Sequence, residues 1–400
     1  MKVGVSAQYL SRANGGVAEA VRLSVAALQH SGQHSGQHSG QHSGLASSPP
    51  DIALFTADDA FLGQDRAQFG AIPLHVAKAY GPKGYGFAPG MIGQLLASDI
   101  DILHVHGIWS WNAAAAWIWH RLTGKPVVIA PHGMLEPWIL KRSRLLKGAV
   151  WRLYLRDLFR RAGGVQALTP KEAQDIGAVL PGLPSTIIAH FVPLREAVAP
   201  ERPAWWDASF EGKRVLVFFG RLHEKKGILE LCDAWARFCA EQPALAQASR
   251  LVFCGWNDGV PGFEERVAEL ARQHGNIAYA GPQYGEEKWR SLGAASFMLL
   301  PSHSEGLPMA VIEAWSAGTP SIMTQACNIP AGFSHGAALE IEPVVASILD
   351  GLIRAAQMPE GELTTMRAAA RALVGEQYSA EAVAEKTMAL YRGALAKRGG

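Results

Sequence analysis

Charge of either sign is scarce in this chain. Its 37 Lys and Arg face 35 Asp and Glu, leaving a net charge of +2, and charged residues make up 18% of 400. Such a balance gives no global field to draw nucleic acid, so nucleic acid is not an expected partner and any electrostatic partner must meet a local patch. Cysteine is rarer still: Cys232, Cys239, Cys254 and Cys327 show neither CxxC pairing nor a zinc-like spacing with histidine. That excludes a disulfide framework and predicts buried, reduced thiols. Long apolar runs are missing as well. Met1 to Tyr9 alternates Val3, Val5 and Ala7 with smaller residues and reads as a first strand, so neither a signal peptide nor a membrane span is expected and the expected location is cytoplasmic. Finally, no Gly-x-Gly-x-x-Gly follows that strand, which argues against a dinucleotide dehydrogenase.

What is present is enough apolar residue, 48%, to build proper cores, in a chain too long for one of them. Short apolar runs alternate with helical stretches: Val3 to Ala7, Ile52 to Phe55, Ile102 to His106, Val127 to Ala130 and Val165 to Leu168. This is the rhythm of a parallel α/β sheet. After a Pro- and Trp-rich stretch, Pro193 to Trp206, it restarts with Val215 to Phe219, Leu251 to Cys254, Ile277 to Ala280, Phe297 to Leu300 and Ser321 to Met323. The expected division is an N-terminal domain over 1–195 and a C-terminal one over 196–379, with a last helical stretch, 380–400, crossing back to the first. Residues 29–44 are four tandem Gln-His-Ser-Gly copies. They predict a helix-to-strand surface loop; His30, His34, His38 and His42 offer metal ligands, but a Gly/Ser-rich loop pays a high ordering cost to use them.

Two constellations carry chemistry. The strand Val215 to Phe219 ends in Gly220-Arg221, and Lys226-Gly227 follows just before a helical run. A planar guanidinium and a point-charge ammonium beside a helix start are the complements a diphosphate needs. Downstream runs Pro301-Ser302-His303-Ser304-Glu305-Gly306-Leu307-Pro308, then a helical stretch bearing Glu313, with seven residues between the two glutamates. Gly306 allows close backbone approach, and two carboxylates at one ligand suit the vicinal hydroxyls of a nucleotide sugar.

Together with Asn14-Gly15-Gly16, these segments resemble family 4 of the retaining glycosyltransferases, a family with the GT-B fold: two Rossmann-like domains facing each other across a cleft. The likeness runs from the first strand to the Tyr378-Ser379 turn and the final helix. It implies that the N-terminal domain binds the acceptor and the C-terminal domain the nucleotide-sugar donor. Arg221 and Lys226 would hold the diphosphate, Glu313 the ribose hydroxyls, and Glu305 with the Gly306-Leu307 backbone the transferred sugar. Gly15 and Gly16 would admit the phosphates, and the Gly281 to Tyr284 block would lie near the base. His132, in Ala130-Pro131-His132-Gly133-Met134, matches the family histidine facing the sugar and the reacting centre. His106 is a second candidate on the acceptor side, and His104 reads as a core residue. Where the family commonly has Pro-Asn-Gly, this chain has Ala189-His190-Phe191-Val192-Pro193.

The resemblance also implies a retaining hexosyl transfer in cell-surface polysaccharide synthesis, with the departing phosphate accepting the acceptor's proton and with no cofactor or metal. Asp99-Ile100-Asp101 mimics a metal-binding Asp-x-Asp, but its place before a strand favours strand entry or capping. A nucleotide-sugar epimerase of the same fold and a noncatalytic sugar-nucleotide sensor stay open as alternatives; the presence of all four of Arg221, Lys226, Glu305 and Glu313 favours transfer. One local patch remains. Between Trp138 and Arg161 lie eight basic residues, Lys141, Arg142, Arg144, Lys147, Arg152, Arg156, Arg160 and Arg161, against one acid, Asp157. Leu145, Leu146, Val150, Trp151, Leu153, Tyr154, Leu158 and Phe159 are interleaved with them. One reading packs the apolar face on the sheet with cations outward; the other docks 138–161 on anionic lipid, peripheral to the inner membrane face and beside a glycan or lipid-linked acceptor.

Overall fold

In the computed structural model, residues 1–30, 49–195 and 201–397 are described. His34, His38, His42 and most of the Gln-His-Ser-Gly repeat lie outside them. The chain divides into two compact units, Met1–Phe191 with the helix Ala380–Ala396, and Val192–Ser379.

The first unit holds β1 (Lys2–Ala7), β2 (Asp51–Ala57), β3 (Leu74–Ala77), β4 (Ile102–His106), β5 (Val127–Ala130), β6 (Gly164–Ala167) and β7 (Thr186–Ile187). All pairings are parallel, in the order β3-β2-β1-β4-β5-β6-β7. The second unit holds β8 (Arg214–Phe219), β9 (Ser249–Cys254), β10 (Ile277–Gly281), β11 (Phe297–Leu300), β12 (Ser321–Thr324) and β13 (Ala338–Ile341). It is again wholly parallel, in the order β10-β9-β8-β11-β12-β13. Central strands are almost wholly buried because helices cover both sheet faces: every residue of β11 and β12 is buried. Three strands were not anticipated. β3, β7 and β13 are edge strands half open to solvent, and both residues of β7 are exposed.

Helices close the faces. In the first unit, Val21, Val25 and Leu28 of the helix Gly16–His30 pack with Ala384, Tyr391 and Ala394 of Ala380–Ala396 on one side of the sheet. Gly163 is fixed by this docking, since a Cβ there would lie 2.6 Å from the Cβ of Ala394. On the other side, Trp119, Tyr154, Leu158 and Phe159 fill the core. In the second unit, Trp235 and Phe238 of Ile228–Glu241 and Trp315 of Met309–Ser316 are fully buried. All four cysteines are free and buried. Asp99 and Asp101 serve strand entry: Asp101 accepts the Lys2 backbone N–H at 2.8 Å and Asp99 pairs with the Lys2 side chain.

Candidate functional site

In an open parallel sheet, ligands meet the carboxyl ends of the strands where the strand order reverses. In the second unit that point lies between β8 and β11, whose following loops carry the two sequence constellations. Gly227 (φ 68°) lets the loops touch, because a Cβ there would sit 2.3 Å from the Pro301 carbonyl oxygen. The His303 N–H donates to the Lys225 carbonyl at 2.8 Å and fastens them further.

This closeness brings Lys226 and Glu305 together. Lys226 Nζ donates to Glu305 Oε1 at 2.7 Å, with the side chains 13% and 9% exposed. Ser302 Oγ donates to the same carboxylate oxygen at 2.6 Å, and Asn328 Nδ2 to the Glu305 carbonyl at 2.5 Å. A pair this dry holds only because additional hydrogen bonds fix its geometry. The ammonium still has two N–H donors to spare for an anion.

Glu313 lies inside the helix Met309–Ser316, and Lys288 Nζ donates to its Oε1 at 2.6 Å. Lys288 belongs to the helix Gly285–Ala294, which Tyr284 opens. Tyr284 is largely exposed, and Gly281 (φ 69°) ends β10 at the sheet edge. Arg221, directly after β8, pairs at 3.0 Å with Asp258 while staying partly exposed. A Cβ on Gly306 would meet nothing within 4 Å, so the backbone there is open to a ligand, and Leu307 follows it half-buried.

The first unit assembles something chemically different. His104 and His106 share one face of β4, their ring centroids 4.2 Å apart. His106 Nδ1 lies 2.9 Å from His132 Nε2, with one nitrogen donating and the other accepting, and His190 stacks on the far side of His132 at 5.9 Å. Tyr391 Oη lies 2.8 Å from His104 Nδ1, closing the row from the C-terminal helix. Burial pushes His104 down to about 3 and His190 to about 4, while His106 and His132 fall well below their ordinary value through burial and the neighbouring imidazoles. The row is neutral at pH 7, and among the described residues His132 Nδ1 has no protein partner.

His132 is held in the left-handed region (φ 56°) with Gly133 after it (φ 73°). Such a backbone costs about 1–3 kcal/mol and persists where the surroundings over-determine it. Glu172 supplies that restraint: nearly buried, it accepts the Gly133 N–H at 2.6 Å and the Leu168 N–H at 2.7 Å. Burial raises its pKa, against which the two N–H bonds work. Gly15 (φ 53°) and Gly16 stand where the loop after β1 enters its helix, and a Cβ on either would meet nothing within 4 Å.

Lys288, Ser302, Asn328, Glu172 and His190 were not anticipated. Glu172 had a signal, since Thr169 caps the helix Pro170–Val179 with Glu172 three residues on, a capping-box spacing. His190 sits in the segment that departs from the family's Pro-Asn-Gly. Among the described residues no group of three or more His, Cys, Asp or Glu could hold a metal ion.

Residues 206–373 match the family described as glycosyl transferases group 1, and residues 43–196 match glycosyltransferase family 4. A D-inositol 3-phosphate glycosyltransferase of Corynebacterium diphtheriae is 28% identical over 249 residues, which cover 59% of this chain and 57% of that one. A protein of the same description from Corynebacterium jeikeium is 31% identical over 127 residues, 31% of this chain and 30% of its own. The matched stretches thus span 57% and 30% of the length of these curated relatives. Among solved structures, Anabaena HepE in complex with UDP and glucose superposes with a TM-score of 0.62 at 15% identity, covering 97% of this chain and 98% of that one.

Proposed function

Since the chain belongs to the group 1 glycosyltransferases, we propose that it transfers a hexosyl group from a nucleoside-diphosphate sugar to a hydroxyl of a glycan or lipid-linked acceptor, with retention of anomeric configuration and without a metal ion. The observation that carries this reading is the Lys226–Glu305 pair at the switch point of the second sheet, 2.7 Å apart, with Arg221 at the adjoining strand end. A cation and a carboxylate joined there suit a ligand that is diphosphate at one end and polyhydroxyl at the other.

In the proposed reaction the acceptor oxygen bonds to the anomeric carbon on the leaving-group face as the bond from that carbon to the diphosphate oxygen breaks. The acceptor's proton passes to the departing phosphate oxygen. Lys226 and Arg221 stabilise the charge growing on the diphosphate, a preorganised contribution of about 3–4 kcal/mol for a well-placed donor. Glu305 and the Gly306-Leu307 backbone orient the sugar, Glu313 holds the ribose hydroxyls, and Gly281 and Tyr284 lie on the base side. His132 is assigned to sugar hydroxyls through the nitrogen His106 leaves over, and Gly15 and Gly16 to backbone contacts with phosphate. Support for the donor class comes from the UDP and glucose bound by Anabaena HepE. Support for a polyhydroxyl acceptor comes from the description of the corynebacterial relatives.

The test is mass spectrometry of products from a panel of UDP- and GDP-sugars in excess EDTA, with the new anomeric linkage read by NMR. A product with the donor's configuration is expected. An inverted linkage, or turnover that returns only with Mg²⁺ or Mn²⁺, would overturn the corresponding part of the proposal.

A further inference from the structure

The segment between Trp138 and Arg161 takes no part in either candidate site. It forms a short helix, Pro137–Lys141, and a continuous helical run from Arg144 to Arg161 that includes a π turn at Trp151–Leu155. Tyr154, Leu155, Leu158 and Phe159 are buried in the core beneath it. The opposite face is unusual. Leu145, Leu153 and Leu146 are 91%, 76% and 69% exposed, the three most exposed large aliphatic residues among the described residues, and Trp138 of the preceding short helix is exposed as well. Positions 145, 149, 153, 156 and 160 run down one side of the helix, apolar in the first half and arginine in the second. The two apolar sets that the sequence interleaves therefore point in opposite directions.

Cations frame the exposed leucines. Among the described residues none of Lys141, Arg142, Arg144, Arg152, Arg156 and Arg160 is ion-paired, while Asp157, the segment's only acid, is taken up by Arg161 and Trp117. Arg142 lies over the Trp138 ring at 5.0 Å, uniting cation and aromatic in one surface. A second copy of this chain is a poor occupant, because a twofold contact would set the same cations against each other with no carboxylate in reply. A soluble acidic partner accounts for the arginines but leaves the leucines unexplained. An anionic bilayer accounts for both.

We propose that this face docks the protein on an anionic lipid bilayer, with Leu145, Leu146 and Leu153 beneath the headgroups, Trp138 at the interface and the arginines at the level of the lipid phosphates. No helix among the described residues is long and apolar enough to cross a membrane, so the attachment is peripheral. The inference rests on the surface alone and stands or falls independently of the reaction assigned above.

Vesicle co-sedimentation of the full chain tests it. The protein should bind phosphatidylcholine vesicles containing phosphatidylglycerol, ignore pure phosphatidylcholine, and detach as salt rises. Arg152→Glu with Arg156→Glu should lower partition by about fivefold or more per arginine. Leu145→Ser with Leu153→Ser should lower it by about tenfold even at low salt, because the leucine term is not screened. These side chains are exposed, so circular dichroism should be unchanged. No binding to the mixed vesicles at low salt, or wild-type binding by both double variants, would overturn the proposal. So would a wild-type dimer in sedimentation velocity that the leucine variant dissociates, for the face would then belong to self-association.

Discussion

The two units share a wholly parallel sheet with its order reversing beside the first strand, yet their strand ends carry opposite chemistry. In the second unit the polar groups are charged and paired, Lys226 with Glu305, Lys288 with Glu313 and Arg221 with Asp258. In the first they are neutral rings, His104, His106 and His132, stacked in a row with His190 and ended by Tyr391. The fold therefore fixes where a site can form, while the residues at the strand ends decide what it can hold. Paired ions can exchange a protein partner for a charged ligand group. Buried imidazoles, stripped of their charge by desolvation, offer one donor and one acceptor each and suit hydroxyls.

Breaking the charged side should have the largest effect. Lys226→Ala is predicted to lower kcat/KM by about a thousandfold and stability by about 3 kcal/mol, because it strands Glu305 in a nearly dry site. Glu313→Ala should cost about a hundredfold in kcat/KM with little change in melting temperature, as it removes no core volume. Steady-state kinetics and thermal melts on the same preparations check both, and near-normal turnover in either variant would remove that residue from the site. On the neutral side, His132→Ala should lower kcat by about a hundredfold. His106→Phe should lower it by about tenfold through lost positioning, a loss that His106→Gln partly restores.

A gentler way to separate the units is acid. The histidine row has folded-state pKa values depressed below 6.5, to about 4 for His190. The unfolded chain thus binds more protons than the native one as pH falls below 6.5, and stability present at pH 7 drains from 6.5 down to about 3, the value of His104. Hydrogen exchange should then show amides of β4 and β5 losing protection on going from pH 7 to 5, corrected for intrinsic rates, while β8 and β11 change little. Equal loss in both sheets would mean that the row does not govern the acid response.

Much of this was legible in the sequence, for identifiable reasons. Central strands such as Val127–Ala130 and Phe297–Leu300 announce themselves because burial on both faces favours unbroken apolar runs. Leu74–Ala77, Thr186–Ile187 and Ala338–Ile341 do not, because an edge strand held by one neighbour and half wet needs no such run. Arg221, Lys226, Glu305 and Glu313 stood out by type and spacing. Their pairings did not, since Lys226 meets Glu305 across 79 residues and Lys288 meets Glu313 across 25. The same limit hid His190, which joins the row only once the loop after β5 and the chain after β7 meet. Leu145, Leu146 and Leu153 could not be told apart from Tyr154, Leu158 and Phe159, because helical spacing alone does not say which side of the helix faces the sheet.

The central claim is that the second unit holds the nucleotide while the histidine row of the first acts on hydroxyls. Calorimetric titration of UDP and GDP in EDTA against wild type, Lys226→Ala, Glu313→Ala and His132→Ala tests it most directly. The account predicts that one nucleotide binds wild type and His132→Ala with the same Kd, and that Lys226→Ala and Glu313→Ala weaken it by about tenfold or more. Undiminished binding by Lys226→Ala, or loss of binding in His132→Ala, would contradict it.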